Sequence, residues 1–187
     1  MKKSLITRWR SMRERCGKDS HYLDVVVCED WKEYANFEGW SSRFVYEGME
    51  LDKDIILRGN RVYGPEFCSY VPRWLNLVLG SSKSIRGIHP IGVSFKENTK
   101  GMVSTLKKPF ESRCMDLNGK KIWLGYHSTA QLAHKAWQEA KCKVIETAII
   151  KYVDESPNQD DRIIKGLRDR ITLLKIDIES GVITERL

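Results

Sequence analysis

Seven apolar positions, Ala133, Ala136, Trp137, Ala140, Val144, Ala148 and Tyr152, recur at helical spacing over one long stretch of the chain. A helix with so long an apolar stripe must bury it against another element. Just upstream lie three strand-like runs, 91–96, 102–107 and 121–126, separated by turn signals that include Asn118-Gly119. This order predicts a three-stranded antiparallel sheet packed on a long helix, with Ser128 and Gln131 forming a capping box at the helix start.

The first half reads differently. Trp9, Met12 and Cys16 predict a short helix over 4–16, and Gly17 to Ser20 ends it. Residues 22–28 are β-branched and strand-like, and Asp30 with Glu33 has the form of a capping box that opens a helix carrying Trp31, Tyr34 and Phe37 on one face. A strand over 49–57, a turn at Arg58-Gly59-Asn60, a short strand over 67–71 and a helix from Pro72 to about Leu79 make a ββα unit. Gly80 to Ser84 has linker composition. The expected domains are therefore 1–80, 81–155 and a C-terminal helix over 156–187, in an α+β chain. Ser156-Pro157 caps that last helix, whose stripe of Ile163, Leu167, Ile171, Leu174 and Ile178 either docks on the protein or forms a homodimer contact.

Composition narrows the class. The 187 residues are 41% hydrophobic and 30% charged, as in a soluble globular protein, and no apolar run is long enough to span a bilayer. The amino end has no sustained apolar stretch after its lysines, so a cytoplasmic location is expected. Cys16, Cys28, Cys68, Cys114 and Cys142 are widely spaced and include no C-x-x-C pair, so reduced thiols are the default. The net charge of +7 is concentrated: residues 81–127 hold nine Lys and Arg against three Asp and Glu. A basic segment in an otherwise balanced chain is the footprint of a polyanion partner or of a solvated basic face.

The segment Leu51-Asp52-Lys53-Asp54, then Gly59-Asn60, Tyr63-Gly64-Pro65-Glu66, Cys68 and Asn76 resembles the core of phage and homing HNH (ββα-metal, His-Me finger) endonucleases. The upstream Trp9-x-x-Met12-x-x-x-Cys16 and Val27-Cys28-x-x-Trp31 fit the same branch, so the resemblance covers roughly residues 9–79. It implies a divalent ion, Mg²⁺ or Mn²⁺, held between Asp52 at the strand end and Asn76 on the following helix. Hard oxygen ligands suit such an ion, and it polarises the scissile phosphate. The family usually has a His after the metal Asp to deprotonate water, and here Lys53 stands in that place. Lys53 acts as a base only if its surroundings lower its pKa; otherwise it clamps a phosphate while Asp54 or a metal-bound water takes the proton. The asparagine that braces the loop in many members is replaced by Phe67. A structural zinc on Cys16, Cys28 and Cys68, with His21, is a further option, although buried thiols are the commoner outcome.

Residues 87–145 resemble the plant Apetala-type DNA-binding domain, which also occurs fused to phage HNH nucleases. Pro90-Ile-Gly-Val93, Lys121-Ile-Trp-Leu-Gly-Tyr126 and Ser128-Thr129 with Ala133, Ala136 and Trp137 carry the likeness. It implies a sheet in the major groove of double-stranded DNA, with Arg86, Ser94, Lys96, Ser104, Lys107, Arg113, Lys121 and Trp123 as outward candidates. Trp123 reads equally well as a core aromatic. Together the two resemblances imply a site-selective DNA endonuclease of the homing or interference type. The alternatives are a DNA-binding regulator that has lost its base at Lys53, and an RNA-binding accessory protein.

Overall fold

The computed structural model describes residues 4–18, 22–80, 88–96 and 107–187. His21, Arg86, Ser104, the expected linker beyond Gly80 and most of the strand expected over 102–107 lie outside the described residues. The architecture is mixed α+β, with five α-helices and three small sheets among those residues. Two compact units form: Met1–Asn76 with Tyr152–Leu167, and Leu77–Lys151 with Arg168–Leu187. The division is therefore interleaved, whereas the domains read from the sequence run end to end. No helix among the described residues is long and apolar enough to cross a membrane.

In the first unit, α1 (Leu5–Arg15) starts at Ser4, whose hydroxyl accepts the Thr7 N–H at 3.3 Å. The strand expected over 22–28 is reduced to β1 (Val26–Val27). Asp30 opens only a 3-10 turn over Asp30–Lys32, and α2 (Tyr34–Ser41) begins after Glu33 without a side-chain cap. β2 (Met49–Asp52) pairs antiparallel with β4 (Ser69–Pro72), β3 (Val62–Tyr63) pairs parallel with β1, and α3 (Arg73–Leu79) follows β4 directly. Trp31, Phe37 and Tyr70 are buried, and Trp40 packs beside all three at ring separations of 4.7, 6.3 and 5.6 Å. Truncating an aromatic in such a cluster costs about 3–5 kcal/mol, so these rings fix the floor beneath β2 and β4.

Residues 152–167 belong to this unit through specific contacts. The Asn158 side chain accepts from the Val45 N–H at 2.8 Å and donates to the Val45 carbonyl at 2.6 Å, as a neighbouring strand would. Arg162 donates to the carbonyls of Pro65 and Glu66. Gly166 sits so close to β2's continuation that a Cβ there would lie 2.2 Å from the Ile55 carbonyl oxygen.

In the second unit, β5 (Val93–Phe95), β6 (Phe110–Met115) and β7 (Lys121–His127) form an antiparallel sheet in that order. The middle strand is thus at 110–115, within a stretch whose sequence reads as irregular. Its inward positions are Ser112 and Cys114, so the alternation carries little hydrophobic signal. α4 (Ala130–Glu155) is capped by Thr129, whose hydroxyl accepts the Leu132 N–H, rather than by Ser128. α5 (Asp161–Ser180) begins after Asp160, not at Ser156-Pro157, because the Asp160 carboxylate accepts the Arg162 N–H at 3.0 Å. Ile163, Leu167, Ile171 and Leu174 are buried within the chain and Ile178 is half-buried, so most of this stripe takes the docked arrangement. His134 is a structural residue: its Nδ1 donates to the Ile91 carbonyl at 2.9 Å and its Nε2 accepts the Thr184 N–H at 3.0 Å.

Candidate functional site

Asp52 ends β2 and turns the chain. Its Oδ1 accepts the N–H groups of Asp54 at 2.8 Å and Ile55 at 2.6 Å, so the strand expected to run to residue 57 stops here. Side chains alternate along a strand, so Glu50 and Asp52 share one face of β2. Asn76 on α3 reaches that face: its Nδ2 donates to Glu50 Oε2 at 2.5 Å. The hydrogen bond fixes the amide, with its nitrogen toward Glu50 and its oxygen turned away as a hard acceptor. Arg73, on the same helix, lies 3.8 Å from Glu50 Oε1. Glu50 therefore orients Asn76, a role that a glutamate in a strand does not announce in sequence.

Lys53 is buried, at 5% exposure. Its Nζ donates to Asp54 Oδ2 at 2.8 Å and to the Asn60 carbonyl at 2.9 Å, and stands 5.7 Å from the centre of the Tyr22 ring. Two of the three ammonium hydrogens are thus committed within the loop. The loop after Lys53 is braced by Asn60, not by a residue at position 67. Asn60 Nδ2 donates to the carbonyls of Lys53 at 2.8 Å and Val62 at 2.7 Å, and its Oδ1 accepts the Val62 N–H. Gly59, at φ 76°, supplies the left-handed turn just before it. Asp54 is more open, with 37% of its side chain exposed.

The cysteines of the first unit do not form a metal set. Among the described residues no three His, Cys, Asp or Glu side chains are grouped to hold an ion. Cys16 Sγ donates to the Met12 carbonyl, and burial pushes the Cys68 thiol far above its ordinary value, which keeps it protonated. All five cysteines are free.

On the sheet of the second unit, register decides which side chains share a face. Ser112 pairs with Gly125 but Arg113 pairs with Trp123, so Leu124 is passed over as a bulge. The bulge places Trp123 and Tyr126, three residues apart, on the same outer face as Ser94, Glu111 and Arg113. Trp123 is 59% exposed and meets Tyr126 edge-on at 5.7 Å, so it is not a core aromatic. Lys121 is exposed on this face opposite Met115, and Lys107 is exposed ahead of β6 rather than within a strand. Glu111, absent from the sequence-based candidates, is the hub. Its carboxylate holds Arg113 at 2.7 Å and Lys96 at 3.6 Å, with the Ser94 hydroxyl at 3.5 Å. Desolvation pushes the Glu111 carboxyl up, but hydrogen bonding and charge from Arg113, with Lys96, outweigh it and hold the group below its ordinary value.

No family model matches the chain, and neither the curated proteins nor the solved structures yield a match. The candidate site therefore rests on its own geometry.

Proposed function

We propose that the chain is a metal-dependent endonuclease of duplex DNA, with a hydrolytic centre on Asp52 and Asn76 and a DNA-reading face on the β5–β6–β7 sheet. The observation that carries the reading is the Asn76 amide held by Glu50 on the strand face that Asp52 shares. A carboxylate and an amide oxygen suit Mg²⁺ or Mn²⁺ and leave positions for water and phosphate oxygens. When bound, the ion supplies Lewis-acid activation of the phosphodiester and stabilises charge on the leaving 3′ oxygen.

The chain's own residues do the positioning. Glu50 holds the Asn76 amide by its nitrogen, and the N–H groups of residues 54 and 55 hold one oxygen of the Asp52 carboxylate. Lys53 and Asn60 hold the loop rigid, and either Asp54, whose Oδ2 accepts from Lys53, or a metal-bound water would take the proton of the attacking water. Water oxygen bonds to phosphorus as the bond to the 3′ oxygen breaks, leaving 5′-phosphate and 3′-hydroxyl ends. Lys96, Arg113 and Lys121 supply phosphate contacts, and Trp123 with Tyr126 supplies an aromatic surface for the groove.

Incubation with supercoiled plasmid in Mg²⁺ or Mn²⁺ tests this. Cleavage that disappears in Asp52→Ala and Asn76→Ala, with duplex binding retained, is expected. A second reading, a DNA-binding regulator without catalysis, draws on the locked Lys53 in the place of a family base. It predicts tight binding and intact plasmid in every metal.

A further inference from the structure

The metal candidates and the sheet do not account for the charge at the amino end. Residues 1–18 hold Lys2, Lys3, Arg8, Arg10, Arg13, Arg15 and Lys18 against Glu14 alone, and the acidic residues that balance them come later, between Asp19 and Glu50. α1 sorts its cations by direction. Arg8 turns inward and donates to the carbonyls of Met49 at 2.6 Å and Tyr46 at 3.1 Å. Arg15 is half-buried, over the rings of Tyr22 and Tyr63. Both are structural stitches.

Arg10, Arg13 and Lys18 are exposed, and with Trp9 and Glu14 they line an open cleft of about 290 Å³. Arg13 is held in place: its guanidinium lies 4.6 Å over the Trp9 ring and donates to the Lys32 carbonyl at 3.3 Å. Trp9 is itself anchored, its Nε1 donating to the Trp31 carbonyl at 2.8 Å. A guanidinium stacked on an anchored ring loses little freedom on meeting an oxyanion.

We infer that this face of α1 is a phosphate-backbone anchor for duplex nucleic acid, separate from the three-stranded sheet. The inference rests on the DNA-binding part of the proposed function. Exposed cations around an open cleft suit a polyanion that engages several of them at once, whereas a small anion needs enclosure. Such contacts carry no base information, so they strengthen binding equally on unrelated sequences.

The test compares the full chain with R10Q/R13Q/K18Q on two unrelated short mixed-sequence duplexes across a salt series, with thermal melting as the check on folding. Each neutralised phosphate adds about 0.9 to the slope of log affinity against log salt, so the triple variant should lose a slope of about 2–3 on both duplexes. Glu14→Gln should tighten binding, an effect that a merely structural helix would not give. If Arg13→Gln disturbs folding, R10Q/K18Q with the same readout replaces the triple variant, with a slope loss of about 2 expected. Unchanged slopes in these variants, while K96Q/K121Q flattens the slope, would overturn the α1 anchor and leave the sheet reading intact. No duplex binding by the unaltered chain would overturn both. Loss of binding to anionic phospholipid vesicles with duplex binding unchanged would assign the face to a membrane surface and also overturn the proposal.

Discussion

Asn60 illustrates how much one side chain does in this fold. It is 6% exposed and ties the Lys53 and Val62 backbones together, so Asn60→Ala leaves buried carbonyls unpaired. At about 1–3 kcal/mol per group, the variant should lose roughly 3 kcal/mol of stability by denaturant unfolding. Glu50 acts at one remove. Glu50→Ala should melt near the unaltered chain but bind Mn²⁺ about 10–100-fold more weakly, as expected when an outer partner of a ligand is removed. An equal Mn²⁺ affinity in Glu50→Ala would show that the Asn76 amide needs no such support. Glu111 gives a pH signature. Its folded pKa is lowered from an ordinary 4.5, so its stabilising contribution is complete above that value and is lost as pH falls through the lower folded value. Acid unfolding of Glu111→Gln should therefore show a weaker pH dependence below 4.5 than the unaltered chain. The positions of Asp52 at a strand end and Asn76 on the following helix were legible in sequence because strand and helix signals surround them. Glu50, Asn60 and Glu111 were not, because their roles depend on partners 26, 7 and 2 positions away.

Among the elements, the long helix and the outer strands of the sheet follow from periodicity, and they stand close to where the sequence puts them. The middle strand escaped because its inner face is built from Ser112 and Cys114 and its outer face from Glu111 and Arg113. The first-unit strands are also shorter than their β-branched runs, since Asp52 caps its own turn and ends β2. The starts of the two long helices moved for one reason: Ser128 and Thr129 precede α4, Ser156 and Asp160 precede α5, and only backbone geometry selects the one that caps. Two glycines mark close approaches that no pattern reveals. A Cβ on Gly92, at φ 77°, would meet Trp137 at 2.1 Å, and one on Gly166 would meet the Ile55 backbone at 2.2 Å. Gly166→Ala should cost about 1–3 kcal/mol, because helix and loop backbones must separate. A melting temperature equal to that of the unaltered chain would show that the helix shifts freely.

At the scale of the whole molecule, charge and chemistry divide between two compact units. The oxygen-rich strand face of Glu50 and Asp52 lies in the first, and the cationic aromatic face of Arg113, Lys121 and Trp123 lies in the second. The proposed endonuclease assigns hydrolysis to the first and recognition to the second. The sequence alone located the basic segment but averaged away the cations of α1, because acidic residues follow within the same fifty. The central claim is that Asp52 and Asn76 hold one divalent ion, and a Mn²⁺ titration followed by electron paramagnetic resonance on the full chain tests it most directly. One site that is lost in Asp52→Ala and weakened in Asn76→Ala, with both variants folded, is the predicted result. Mn²⁺ binding that is absent from the unaltered chain, or unaffected by either substitution, would contradict it.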